Sequence, residues 1–249
     1  MGEGIMTQGV RTRRVRVVGG YKKRSSRQVR LLTRATRSDR DVYGDKSAEL
    51  IRSLSQQEKA WNKEQSAIEK ARAYELSGKQ VYENDKGSSR SVYIPSYARM
   101  GNVTTHIHPK ENSNDLSARI GTTFSKADIA NAIQFGARET RAVAAGYTYS
   151  MRPNNPSSNL GLYDWGTTVR SFKTNHTKAI NAARKTYGAW YAKQRDLAHS
   201  DYNSGKINKS QYETRLRTIG SRYNVMVQHK AMQSVAKRYG WKYTRTKTR

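Results

Sequence analysis

The distribution of apolar residues divides the chain into three stretches with different periods. Over residues 1–45 no apolar period is sustained, and Arg and Lys alternate with small polar residues, as in Arg11-Thr12-Arg13-Arg14-Val15-Arg16 and Lys22-Lys23-Arg24. Such a stretch buries too little apolar surface to offset the entropy of ordering, so a disordered basic arm is expected. From Ser47 the pattern changes. Ile51, Leu54, Trp61 and Ile68 recur at helical spacing between polar residues, predicting a helix that ends near Gln65. Residues 68–75 alternate as a strand does, and Ser77-Gly78 marks a turn. Residues 80–83 and 91–94 read as two further strands around Asp85-Lys86-Gly87. Residues 103–108, Val-Thr-Thr-His-Ile-His, form a β-rich run closed by Pro109. A polar stretch over 110–123 leads to Phe124 and a short helix carrying Ile129, Ala132, Ile133 and Phe135. Residues 141–144 and 147–151 read as a hairpin around Ala145-Gly146.

Pro153-Asn154-Asn155-Pro156 then suggests a boundary, beyond which the period becomes helical again. Val169, Phe172, Ile180, Ala183, Tyr187, Trp190 and Leu197 mark one long helix. Tyr212, Leu216, Ile219, Tyr223, Met226, Val235 and Tyr239 mark a second, with a capping box expected at Ser210–Glu213 and Ser204-Gly205 in the connection. Tyr187, Trp190 and Tyr223 are expected to pack in the core of this hairpin. The predicted organisation is a basic arm (1–45), an α+β domain in which short connections favour antiparallel strands (46–153), and a basic helical hairpin (154–249).

Composition adds two facts to this picture. The 249 residues include 47 Lys and Arg against 19 Asp and Glu, and the excess lies at the ends. Residues 1–45 carry 12 basic and 4 acidic side chains, residues 46–165 carry 16 and 12, and residues 166–249 carry 19 and 3. A chain of net charge +28 has to meet an anion, and clustered cations on a phosphate backbone gain from counterion release, so nucleic acid is the expected partner. No apolar run is long enough to span a bilayer and no secretory signal pattern is present, so a cytoplasmic or virion-associated protein without membrane contact is expected. The chain also contains no cysteine, which excludes disulfides, thiolate metal sites and cysteine nucleophiles. Any metal has to be held by carboxylates and by some of the five histidines.

Two of those histidines are suitably spaced. His106 and His108 are two apart on a predicted strand, so their imidazoles share a face. Ser125 and Asp128 stand three apart at a predicted helix start, which turns both side chains toward its N-terminal end. If that end abuts the histidine strand, Asp128 supplies a third ligand. Two histidines and one carboxylate with a fourth position open make a catalytic zinc arrangement. Each pair alone has an ordinary explanation, polar residues on a strand face and a helix cap; the combination in strand–loop–helix order points to chemistry. His176, His199 and His229 lack mutual metal spacing and are expected at the surface.

His106-Ile107-His108-Pro109 followed by Ser125-Lys126-Ala127-Asp128 resembles the signature of the JAMM (MPN+) zinc hydrolases, His-x-His-Pro followed by Ser-x-x-Asp. The resemblance covers roughly residues 66–152. It extends to JAMM-like domains of phage head and tail proteins and of bacterial or mobile-element toxin systems, and more remotely to RadC-like proteins. It implies a mixed sheet with flanking helices and Zn²⁺ held by His106, His108 and Asp128. It also implies hydrolysis of a peptide or isopeptide bond, with Ser125 assisting at the oxyanion and an upstream glutamate acting as general base. Glu69 best matches that glutamate, with Glu75 and Glu83 as rivals. The 110–123 stretch is longer than the family's usual linker, so the chain must fold back to bring Asp128 home.

At the C-terminus aromatic and basic residues interleave, in Lys237-Arg238-Tyr239-Gly240-Trp241-Lys242-Tyr243. Lys237, Arg238 and Lys242 would join Arg11, Arg13, Arg14, Arg16, Lys22, Lys23 and Arg24 on phosphates. Trp241 and Tyr243 would either stack on bases or pack on the hairpin. Rival readings of the whole are a non-enzymatic basic virion or nucleic-acid-associated protein that uses the fold as a scaffold, and a toxin acting on a host target.

Overall fold

A computed structural model of the protein describes residues 48–64, 66–109, 124–144, 146–155, 158–161 and 165–248. The basic arm and the 110–123 stretch lie outside these residues. The described chain is α+β, with a six-stranded mixed sheet flanked by helices. Helix α1 (Ala48–Glu64) precedes strands β1 (Ala71–Tyr74) and β2 (Gln80–Asn84) and a single helical turn, α2 (Ser96–Arg99). Strand β3 (Val103–Ile107), helix α3 (Lys126–Gln134), and strands β4 (Glu139–Ala144) and β5 (Tyr147–Pro153) follow. The long helices α4 (Trp165–Asn203) and α5 (Lys209–Arg238) precede a last strand, β6 (Trp241–Lys247).

The sheet order is β2-β1-β3-β4-β5-β6. All neighbours are antiparallel except β3 and β4, which run parallel. A parallel pair needs a crossover, and α3 lies in this one; the other pairings are antiparallel, as the short connections favour. Residues 91–94 are not a strand. The Ser88 hydroxyl accepts the N–H groups of Arg90 and Ser91, and the Tyr93 and Ile94 carbonyls accept from the side chains of Tyr82, Asn84 and Arg99, so this backbone is satisfied outside any ladder. The predicted capping box is displaced by two residues: Asn208 caps α5 and Gln211 returns the bond, at 2.9 Å each way.

Strand β6 was not expected. It pairs along the full length of β5, from Pro153↔Trp241 to Tyr147↔Lys247, so residues 154–249 contribute to the same sheet as residues 46–153. The main core forms on one face of that sheet. It joins Ile129 and Ile133 of α3 and Ala142, Tyr149 and Met151 of the strands to Phe172 of α4 and Met232, Val235 and Ala236 of α5. On the other face α1 packs Leu50, Leu54 and Trp61 against Tyr74, Val103, Ile107 and Val143.

Beneath α1 lies an ionic cluster that hydrophobic patterning does not reveal. Glu58, 3 % exposed, accepts hydrogen bonds from Arg141 at 2.6 and 3.0 Å and from the hydroxyls of Thr105 and Thr148 at 3.2 Å. Arg141 also reaches the fully buried Glu139, which in turn accepts from Ser150. The Glu58 charge is tolerated in the interior because its lone pairs are matched, whereas Glu139 Oε2 makes no hydrogen bond among the described residues and has the Arg152 guanidinium 3.7 Å away.

Candidate metal centre

Strand β3 occupies the middle of the sheet, bonded to β1 on one side and β4 on the other. Its alternation sends Val103 and Ile107 toward α1 and leaves His106 on the opposite face. The His108 N–H donates to the Val143 carbonyl at 2.9 Å, so extended pairing continues past Ile107 and keeps His108 on the face of His106. The lateral partners of His106 are Ala71 and Ala142, both small, so neighbouring strands leave space for an imidazole.

Asp128 is brought to this face by the start of α3. Ser125 is the N-cap; its hydroxyl accepts the Asp128 N–H at 3.1 Å, and Asp128 Oδ2 accepts the Ser125 N–H at 2.7 Å. The cap fixes the carboxylate rotamer, and the same Oδ2 stands 3.6 Å from His106 Nε2 and 3.5 Å from His108 Nε2. The two Nε2 atoms are 3.0 Å apart. A tetrahedral ion with bonds of roughly 2.0–2.2 Å separates its ligand atoms by about 3.3 Å. The three donors bracket that spacing, and their chemistry, two imidazole nitrogens and one carboxylate oxygen, suits zinc. Burial alone would raise the Asp128 carboxyl. The facing His106 and His108 imidazoles outweigh it and hold that carboxyl well below the usual carboxylate range.

Glu69 shares a cavity of about 330 Å³ with His106, His108, Ser125 and Asp128. It precedes β1, where its N–H donates to the Ser88 carbonyl at 2.7 Å. Gly87 packs so closely behind it that a Cβ there would lie 2.2 Å from the Glu69 carbonyl oxygen, which explains a glycine in this turn. Burial pushes the Glu69 carboxyl upward. His106 and His108 oppose the rise, and the Asp128 charge adds to it. The rival glutamates lie outside the cavity. Glu75 accepts a bond from Ser77 in the β1–β2 turn, and exposed Glu83 pairs with Arg72 and Gln80.

Arg99, Asn131 and Thr140 also line the cavity and were missed by sequence reasoning. Asn131 carried a usable signal, since it stands three residues after Asp128 and so shares its helix face. Arg99 carried none: it belongs to a single helical turn with no apolar period.

The residues assigned to nucleic acid are distributed differently. Arg11, Arg13, Arg14, Arg16, Lys22, Lys23 and Arg24 lie outside the described residues. Lys237 and Arg238 are exposed at the end of α5, and Lys242 is half-buried on β6. Trp241 is not available for stacking on bases. It is 9 % exposed and packs with Phe172 and Tyr239, because β6 turns it into the main core. Tyr243 is half-buried, with its hydroxyl 3.0 Å from His229 Nδ1. Two expectations about side chains in the helices are corrected. His176 is buried against Phe172 instead of lying at the surface, and among the described residues its Nε2 has no hydrogen-bond partner. Tyr187, Trp190 and Tyr223 are half-buried on the hairpin and do not form a core, since among the described residues no third element covers the distal part of the two paired helices.

Comparisons with protein-family models, with curated proteins and with solved structures find no match for this chain.

Proposed function

We propose that this chain is a zinc-dependent hydrolase of peptide or isopeptide bonds with a JAMM (MPN+)-type site. The observation that carries this reading is the convergence of His106, His108 and Asp128 within 4.8 Å of one another, in the same cavity as the buried carboxyl of Glu69. His106 Nε2, His108 Nε2 and Asp128 Oδ2 would hold the ion. When bound, zinc supplies Lewis acidity, which polarises a carbonyl and favours ionisation of water.

The remaining work falls to side chains. The Glu69 carboxylate takes a proton from the attacking water and returns it to the leaving nitrogen, a function that its upward-shifted pKa suits. The Ser125 hydroxyl already accepts the Asp128 N–H, so its own proton is free to donate to oxygen in the cavity. Capping and oxyanion support are therefore compatible in one residue. The basic surfaces, in this reading, dock the enzyme on nucleic acid.

Metal analysis of the purified protein, paired with an unbiased peptide-cleavage screen, tests the proposal. About one zinc per chain with cleavage that EDTA abolishes is expected. Zinc without cleavage would favour the scaffold reading, and no zinc uptake on titration would remove the proposal altogether.

A further inference from the structure

The cavity contains a cation that the proposed chemistry does not use. Arg99 is 7 % exposed, and its Nε donates to the Ile94 carbonyl at 3.1 Å, which anchors the base of the guanidinium. Among the described residues nothing accepts a hydrogen bond from its two terminal nitrogens, and no acidic residue forms an ion pair with it. The carboxylate of Asp128 is in the same cavity and within Coulombic range, but it is occupied by the two imidazoles and the Ser125 N–H. Burial lowers the Arg99 pKa and Asp128 opposes that shift; a guanidinium keeps its charge regardless.

The terminal nitrogens of this anchored guanidinium open onto the cavity without a counter-ion among the described residues, which makes them a ready partner for an anionic ligand. The position is also built: Ala98 packs on Ala71 and Ala73 beneath, and the Ile94 carbonyl fixes the side chain beside the cavity wall. Two terminal nitrogens on a planar fork match the two oxygens of a carboxylate. Exposed Arg90 lies on the rim of the same cavity and adds positive charge along the approach.

We infer that Arg99 is a specificity residue that binds a substrate carboxylate, so that the preferred substrate carries an acidic side chain or a free C-terminus close to the bond presented at His106, His108 and Asp128. The inference rests on the hydrolase reading for the word substrate, but the anion site itself does not require zinc.

The test is binding to the full-length protein, both EDTA-treated and zinc-loaded, measured by calorimetry with three matched acetylated hexapeptides. One carries a glutamate and an amidated end, one carries neutral side chains and a free carboxylate, and one is neutral and amidated. Inorganic phosphate is a fourth probe. At least one carboxylate peptide should bind about tenfold or more tighter than the neutral peptide, as expected for a charge-assisted bidentate contact. Which of the two does so identifies the source of the carboxylate. Arg99→Gln should erase the preference while zinc uptake stays at the wild-type level, and Arg99→Lys should retain part of it. Equal binding of all three peptides by wild type, a preference that survives Arg99→Gln, or binding of phosphate alone overturns the inference. If Arg99→Gln does not fold, the wild-type comparison and Arg99→Lys decide. A carboxylate preference in a protein that takes up no zinc would retain the anion site and discard the hydrolase.

Discussion

Ser125 and Asp128 hold each other through two reciprocal hydrogen bonds, and the Asp128 oxygen that accepts the Ser125 N–H is also the one facing both histidines. Helix capping and placement of the Asp128 carboxylate beside the histidines are therefore one structure. Ser125→Ala should cost about 1 kcal/mol of stability through the lost cap. It should also weaken zinc binding, but only through fraying of the helix start that carries Asp128, because the bond holding the carboxylate comes from the Ser125 backbone N–H and survives the substitution. Asp128→Asn, His106→Ala and His108→Ala should each lower zinc content well below one per chain while the fold persists. Thermal melts run beside metal analysis separate the two effects, and a Ser125→Ala protein with weakened stability but undiminished zinc affinity would break the link.

Glu69→Gln retains shape and removes the proposed base. Zinc content should stay near one per chain while turnover falls by about 10²-fold or more. The carboxyl must be ionised to take a proton, so wild-type activity should rise with pH as Glu69 ionises, and a wild-type pH–rate profile with no acid limb would argue against this residue as the base. Loss of activity in Glu75→Gln with retention in Glu69→Gln would transfer the role.

The candidate site was more legible than the fold around it, and the reason is locality. His106 and His108 share a face through the strand period alone, and Ser125–Asp128 form a cap within one helical turn. What no short window contains is the edge pairing of β6, where Trp241 lies opposite Pro153, or the partners of Glu58, which come from strands up to 90 residues away. Glu58 reads as a polar helix position. Only the assembled sheet shows that Arg141, Thr105 and Thr148 surround it. In the same way Trp241 reads as one more aromatic residue in a basic tail until β6 carries it into the core.

His176 offers a measurement independent of zinc. Burial depresses its pKa and the nearby Lys126 charge adds to the effect, so the folded protein holds this imidazole neutral. Below about pH 6.5 the unfolded chain takes up a proton that the folded chain resists, so stability is full above that value and declines as pH falls toward the folded pKa. His229 is depressed for similar reasons and adds to the slope. Melting temperatures measured from pH 8 to pH 5 should fall in wild type and fall less steeply in His176→Leu. Parallel curves for the two proteins would show that His176 is protonated in the native state without penalty.

The basic surface makes the last prediction, and the structure changes how it must be tested. Removing residues 154–249 would strip β6, Phe172 and Met232 from the sheet and core, so a truncated chain would report unfolding and not charge. Charge has to be removed in place. Lys185, Lys193, Arg217 and Arg222 are exposed on α4 and α5, and their replacement by Gln leaves the core untouched. Each phosphate contact contributes roughly 0.9 to the slope of log affinity against log salt on duplex DNA. The fourfold variant should therefore lower the wild-type slope by up to about 3.6. Deleting residues 1–45 should lower it further, because 12 basic side chains are removed with them. Single- and double-stranded DNA of unrelated sequence should compete, since phosphate neutralisation does not read bases. Trp241→Ala should act through the fold instead, costing about 3–5 kcal/mol as a buried indole is lost. Binding titrations at several salt concentrations distinguish these outcomes. Affinity that is indifferent to salt, or a slope unchanged in the fourfold variant, would place the partner of this charge elsewhere.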